Sequence, residues 1–180
     1  MSKSVGRPEP SPGLLRRLDD LARAVLPAVT TALLMVLAAG PTGVPALVVA
    51  TALPCVFFWS LFRPGAMPPP AVFGLGLLQD LLTLSPLGIG VVTLLVAHGL
   101  AVAWRRFLAR QSFLFVWLGF CGFAFGVAGL GYVLTSGLSW MLPPLPPALH
   151  QAALTIGLYP AFAFLLGRAH AMMTRAEDTV

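Results

Sequence analysis

Long apolar runs, separated by short connections rich in glycine, proline or arginine, make up most of the chain. A helical run of about 20 apolar residues is long enough to cross the hydrocarbon core of a bilayer. The third run is the shortest, and the fifth is long enough to tilt or break near Gly129 and Gly131. The predicted membrane spans lie approximately at 24–40, 44–62, 69–84, 87–104, 113–139 and 148–167.

A different pattern precedes the first run. Between about residues 11 and 23, leucines recur at helical spacing on one face, and arginines and aspartates occupy the other. This pattern predicts an amphipathic helix that lies at the membrane surface and leads into the first span. We therefore expect an all-α, polytopic membrane protein. It would comprise a cytoplasmic tail (1–23), a bundle of six transmembrane helices (24–167) and a second cytoplasmic tail (168–180).

Composition and charge support this interpretation. The chain is 58% hydrophobic and only 9% charged, although its 11 lysines and arginines outnumber six acidic residues. The basic residues form no cluster on a soluble face, so we expect no nucleic-acid partner. They precede span one, separate spans two and three or four and five, or follow span six. With six spans, all of these positions fall on one side of the membrane. The positive-inside rule makes that side cytoplasmic and places both termini there. Removing one span would scatter the arginines across both sides.

One carboxylate, Asp80, lies inside the third run, where a charged side chain is costly and is therefore a candidate for function. Gly76 precedes it by four residues. Ser85 and Pro86 follow it, and we interpret them as the cap and first position of span four. Free amides around Leu87–Gly90 would then lie within reach of the carboxylate. We expect Asp80 to hold this turn, and the alternatives are a proton or substrate site and a contact with another protein.

Glycines mark places where helices can approach closely. Gly122 and Gly126 in span five are spaced for close helix packing, either inside the bundle or against another membrane protein. A second group flanks Asp80 on both sides and predicts tight packing of spans three and four: Gly74, Gly76, Gly88 and Gly90.

Residues capable of catalysis are few. Nothing in the spacing of His98 and His150 brings them to Asp80, and a lone histidine in a span usually bonds a neighbouring helix. An intramembrane hydrolase would need Ser136 or Ser139 within reach of His150. The chain contains no phosphate-binding loop of the P-loop type and no metal-ligand spacing. We therefore expect no enzyme activity, no cofactor and no metal.

The stretch GLLQDLLTLSPLGIG, from Gly76 to Gly90, resembles the signature hairpin of the MreD family of rod shape-determining membrane proteins. The similarity extends roughly over residues 20–170. It includes six spans, the basic connection at Arg105–Arg110 and the stretch YPAFAFLLGR, in which Tyr159 and Pro160 look like part of the family's closing span.

The resemblance implies a membrane scaffold of the bacterial cell-elongation machinery, in the inner membrane, that helps to regulate cell shape. MreD-like proteins associate with the bitopic membrane protein MreC. They help to connect MreB filaments with peptidoglycan synthesis by RodA and its transpeptidase partner. Membrane lipid is the remaining expected partner.

The MreD bundle is also thought to be similar to the substrate-binding subunits of energy-coupling-factor transporters. The alternative function is therefore that of a small-molecule-binding membrane subunit of a transporter. That alternative predicts that Asp80, Thr93, His98 and Tyr159 converge on one cavity, whereas a scaffold would have an interior filled with apolar side chains.

Overall fold

A computed structural model describes residues 14–40, 45–140 and 143–177, with side chains at 25–40, 45–140 and 143–168. These residues form α-helices and one short 3-10 turn, at Pro64–Ala66. In chain order the helices are α1 (Leu14–Ala39), α2 (Pro45–Phe62), α3 (Pro69–Thr83), α4 (Ile89–Leu108), α5 (Phe113–Ser139) and α6 (Leu145–Glu177). The predicted all-α class is therefore confirmed for the described ranges.

Within those ranges, four helices are long and apolar enough to cross a membrane: α2, α4, α5 and the Leu145–Arg168 part of α6. The 15 residues of α3 span about 22 Å at ~1.5 Å per residue. This is less than the ~30 Å of a typical hydrocarbon core. The apolar part of α1, Val25–Ala39, is similarly short. The architecture is thus that of a helical membrane protein with four helices of full spanning length.

Helices α1 and α6 extend well beyond the predicted spans, whereas α5 keeps its predicted bounds. The amphipathic segment and the first span form one unbroken helix, α1, from Leu14 onward, and residues 11–13 lie outside the described ranges. Of the two possibilities for α5, a tilt or a break near Gly129 and Gly131, the break does not occur, because the helix continues through both glycines. Helix α6 runs to Glu177, well into the segment predicted as a tail.

The centre of the bundle is α2, which packs against α1, α3, α4 and α6. Its residues from Ala50 to Leu61 are all buried. A helix that is buried on every side has no polar face, so its apolar residues cover the whole circumference instead of a stripe. Edge-to-face aromatic contacts extend this core outward, since the Phe57 ring of α2 contacts Phe120 of α5 and Tyr159 of α6, with ring centroids 5.2 Å and 5.9 Å away.

Helices α5 and α6 lie at the periphery. Only 22% of the most apolar stretch of each is buried, compared with 72% for α2. Large apolar side chains such as Leu118, Phe125 and Val133 of α5 are more than half exposed. Exposed apolar surface of this extent is typical of a protein surrounded by lipid.

Candidate functional site

The turn between α3 and α4 begins with an unusual helix end. Helix α3 stops at Thr83, and Leu84 adopts a left-handed conformation with φ of 52°. The amides of Leu84 and Ser85 both donate to the main-chain carbonyl of Asp80. The left-handed residue therefore reverses the chain immediately above Asp80, and the following residues fold back over it.

The start of α4 lies directly against the Asp80 side chain. Gly88, the residue that caps α4, has φ of 106° and carries no side chain that could accept a hydrogen bond. Instead, the Gly88 N–H donates to Asp80 Oδ2 and the Gly90 N–H donates to Asp80 Oδ1, both at 2.7 Å. The Ser85 hydroxyl adds a longer bond of 3.2 Å to Oδ1. The predicted contact between Asp80 and this helix start is confirmed.

Asp80 is only 1% exposed, so its charge is removed from water. Two short bonds to main-chain amides and the positive end of the α4 dipole act on this carboxylate together. It thus replaces the capping side chain that Gly88 cannot supply. The arrangement joins two helices through one carboxylate.

The prediction that Ser85 and Pro86 cap and open α4 is wrong. The cap is Gly88 and the helix begins at Ile89, one turn later. The Pro86 carbonyl accepts the Ile89 N–H, so these residues belong to the connecting turn. The physical reason is that the acceptor for the first amides comes from α3, and no local serine is needed.

The two helices approach each other at main-chain distance beside this carboxylate. A Cβ atom added at Gly76 would lie 2.5 Å from Val91 Cα, and one added at Gly90 would lie 2.5 Å from Asp80 Oδ1. Neither position has room for a side chain. The predicted tight packing is confirmed at Gly76 and Gly90, whereas a Cβ at Gly74 would meet nothing within 4 Å.

The other glycine pair faces away from the bundle. Gly122 and Gly126 are exposed, and a Cβ added at either would meet nothing within 4 Å. Of the two interpretations left open by the sequence, packing inside the bundle does not occur in the described structure. The pair forms part of the outward face of α5.

Tyr159 and Pro160 join α6 to α5. The Tyr159 ring, which is 1% exposed, stacks on Phe120 with centroids 4.1 Å apart. Proline has no N–H, so Pro160 leaves the Ile156 carbonyl without its helical donor. The indole N–H of Trp117 on α5 donates to that carbonyl at 3.4 Å, a weak bond that partly replaces the missing one.

The histidines and serines bond to a neighbouring helix or within their own helix. His98 Nδ1 pairs with the Ser60 hydroxyl of α2 at 2.7 Å, which confirms the predicted bond to a neighbouring helix. Ser136 donates to the Tyr132 carbonyl, and His150 Nδ1 contacts the Pro146 carbonyl. Among the described residues no hydrogen bond links these serines to His150, and no group of three potential metal ligands occurs.

A cavity of about 320 Å³ lies next to the α3–α4 turn, and we call it the turn-end cavity. Uncharged polar side chains from four helices line it, among them Gln79, Thr93, Tyr132, Thr135, Gln151 and Thr155. Gln79 is 5% exposed, and its Oε1 is one of two buried side-chain atoms in the described residues that have no hydrogen-bond partner.

A second cavity, of about 570 Å³, lies at the opposite end of α4, and we call it the arginine-end cavity. Tyr159 and Pro160 line it together with several phenylalanines. Thr93 lines the first cavity and Tyr159 the second, while Asp80 and His98 line neither. The convergence predicted for a carrier therefore does not occur with those four residues. Gln79 lies directly before Asp80, and no sequence pattern marks it as a cavity-lining residue.

No protein-family model, no curated protein and no solved structure matches this chain.

Proposed function

We propose that this chain is a membrane scaffold of the bacterial cell-elongation machinery and resembles the MreD family. In this role it links an MreC-like bitopic protein and MreB filaments with peptidoglycan synthesis by RodA and its transpeptidase partner. The supporting observation is the α3–α4 hairpin. Gly76, Asp80 and Gly88, which carry the resemblance, form one closed unit in which the carboxylate binds amides of its own hairpin. A carboxylate engaged in this way supports a structural role.

The proposal includes six crossings of the bacterial inner membrane, with both termini in the cytoplasm. Connections of a few residues, such as 84–88 and 109–112, favour antiparallel neighbouring helices. With α1 and α3 both crossing, all 11 basic residues lie on one side. Local thinning of the bilayer accommodates the two short helices.

Cysteine labelling tests the crossing by α3. Gly65 lies before α3 with open space beside it, and Leu84, at 93% exposure, lies directly after it. In a variant whose native cysteines are replaced by serine, Gly65→Cys and Leu84→Cys should react with an impermeant maleimide from opposite sides of the membrane. Labelling of both from one side would exclude a crossing by α3.

We propose the outward face of α5, at Gly122 and Gly126, as a contact surface for the MreC-like partner. These glycines leave a shallow apolar surface that a second helix can approach closely. Gly122→Leu should reduce co-purification of the partner without lowering protein abundance. Gly99→Leu is the matched control, since Gly99 is an exposed glycine of α4 with nothing within 4 Å of its Cβ position. Equal co-purification in both variants would remove this surface from the proposal.

Cell shape is the direct test of the scaffold function. Depletion of the protein in its rod-shaped host should produce rounded cells with dispersed sites of wall insertion, and re-expression should restore the rods. Unchanged shape and wall insertion after depletion would overturn the proposal.

A second candidate, a small-molecule-binding membrane subunit, is favoured by the turn-end cavity, whose volume falls within the ~300–1,000 Å³ of small-molecule sites. The hydroxyls of Thr93, Thr135 and Thr155 already donate to carbonyls of their own helices. With Gln79 Oε1 they therefore offer mainly acceptor positions, and none of the described residues that line the cavity is charged. This lining suits an uncharged ligand that donates hydrogen bonds.

Gln79→Leu separates the two candidates. Replacing a buried amide whose oxygen has no partner by an apolar side chain of similar size is neutral or stabilising if the residue only fills space. The scaffold proposal therefore predicts normal abundance and full restoration of cell shape. A Gln79→Leu protein that is present at normal abundance but fails to restore cell shape in depleted cells would favour the small-molecule-binding subunit.

A further inference from the structure

The arginine-end cavity combines an apolar interior with a basic surround. The ends of α2 and α4, the connection after α4, the start of α5 and the middle of α6 enclose it. Its walls are largely aromatic, with Phe58, Phe113, Tyr159 and Phe164 among them. At about 570 Å³ it falls within the range of small-molecule sites, but it offers few polar groups to a soluble ligand.

The arginine-end cavity is closed on its inner side and open at its rim. Tyr159 is buried and stacked on Phe120, which closes the cavity towards the core. By contrast, Phe62, Phe113 and Phe164 are 40%, 57% and 66% exposed. The cavity therefore opens on the flank of the bundle, where lipid chains surround a membrane protein.

Positively charged residues lie close to the same opening. The Arg168 guanidinium lies 5.1 Å from the centre of the Phe164 ring, directly over the rim. Arg168 follows Tyr159 by nine residues, which places it about 14 Å farther along α6. Arg105 and Arg106 form the last turn of α4, next to the lining residues Leu108 and Ala109, and Arg110 precedes the lining residue Gln111. All four arginines are exposed.

We propose that this cavity binds one anionic phospholipid, with an acyl chain between the aromatic rings and its phosphate beside Arg168 and the arginines at and just after the end of α4. A neutral lipid would bring no negative charge to the arginines, and a soluble phosphate would have no apolar chain to fill the aromatic cavity. Basic side chains next to a membrane attract anionic lipid headgroups, whereas a permanently apolar recess retains a chain. This site is independent of the proposed scaffold function.

Native mass spectrometry of the full-length protein in detergent tests the proposal with three probes. Phosphatidylglycerol and phosphatidylcholine with the same acyl chains differ in net charge, and glycerol 3-phosphate supplies the phosphate without a chain. We expect one retained phosphatidylglycerol, at least five-fold weaker retention of phosphatidylcholine and no retention of glycerol 3-phosphate. Equal retention of the two lipids, or retention of glycerol 3-phosphate, would overturn the proposal.

Two substitutions locate the site. Arg168→Gln, at an exposed position, should lower the preference for phosphatidylglycerol several-fold. Ala163→Phe should fill the cavity and abolish retention of both lipids. Ala161→Phe is the matched control, because Ala161 lies on the same helix at an exposed position that lines neither cavity. Unchanged phosphatidylglycerol retention in both Arg168→Gln and Ala163→Phe, or equal loss in Ala163→Phe and Ala161→Phe, would refute binding at this site.

Discussion

The packing of α3 on α4 predicts a sharp difference between two neighbouring glycines. A methyl group at Gly76 would lie 2.5 Å from Val91 Cα, 2.8 Å from Val91 N and 3.0 Å from the Gly90 carbonyl oxygen. These are main-chain atoms of a helix and cannot rotate away. Because carbon atoms pack at ~3.5–4.0 Å, Gly76→Ala must move α3 and α4 apart by about 1 Å.

That movement acts directly on the carboxylate. The two hydrogen bonds from the amides of Gly88 and Gly90 to Asp80, both 2.7 Å long, would lengthen beyond the favourable range. Overpacking costs about 1–3 kcal/mol, and weakening of two hydrogen bonds to a charged group costs about as much again. The better helix propensity of alanine offsets about 1 kcal/mol. We expect Gly76→Ala to lower the free energy of unfolding by about 1–5 kcal/mol.

Gly74→Ala is the control on the same helix. Nothing lies within 4 Å of its Cβ position, so only the helix propensity changes and stability should stay equal or rise by up to ~1 kcal/mol. Unfolding of the purified proteins in mixed micelles with increasing denaturing detergent, followed by circular dichroism, measures both. Equal stability of the two variants would refute main-chain contact between α3 and α4.

Two further substitutions test the buried polar bonds in the same unfolding assay. Asp80→Ala removes the acceptor for the amides of Gly88 and Gly90 and should cost roughly 2–5 kcal/mol, whereas Asp80→Asn keeps one acceptor oxygen and should cost about half as much. Equal losses would show that charge, not acceptor geometry, dominates. Ser60→Ala removes the partner of His98 Nδ1 and should cost about 0.6–2 kcal/mol, and an unchanged unfolding curve would contradict a stabilising bond.

The local features of the α3–α4 hairpin could be predicted from sequence because its parts lie within 15 residues of one another. The positions of Gly76, Asp80 and Gly90 are separated by helical turns and a short connection, so few geometries bring a carboxylate back to a following helix start. The exact start of α4 was missed. A serine before a proline looks like a cap, and only the structure shows that Asp80 supplies the acceptor.

Contacts between residues far apart in the chain could not be predicted from the sequence. The spacing of Gly122 and Gly126 predicts close packing but carries no information on which neighbour, if any, they face, and the described structure leaves them outward. The two cavities likewise arise from segments far apart in the chain. Gln79 and Thr155 belong to different helices, and their common cavity depends on how those helices pack.

The sequence by itself determined the class and the helices, since apolar runs of membrane length permit little other than helices whose main-chain groups bond within the run. It did not determine which helix is central. Helices α2 and α5 are both apolar throughout, yet α2 is 72% buried and the most apolar stretch of α5 only 22%. In a membrane, lipid and protein interior are equally apolar, so hydrophobicity does not distinguish them. Only close packing does, and that is a property of the assembled bundle.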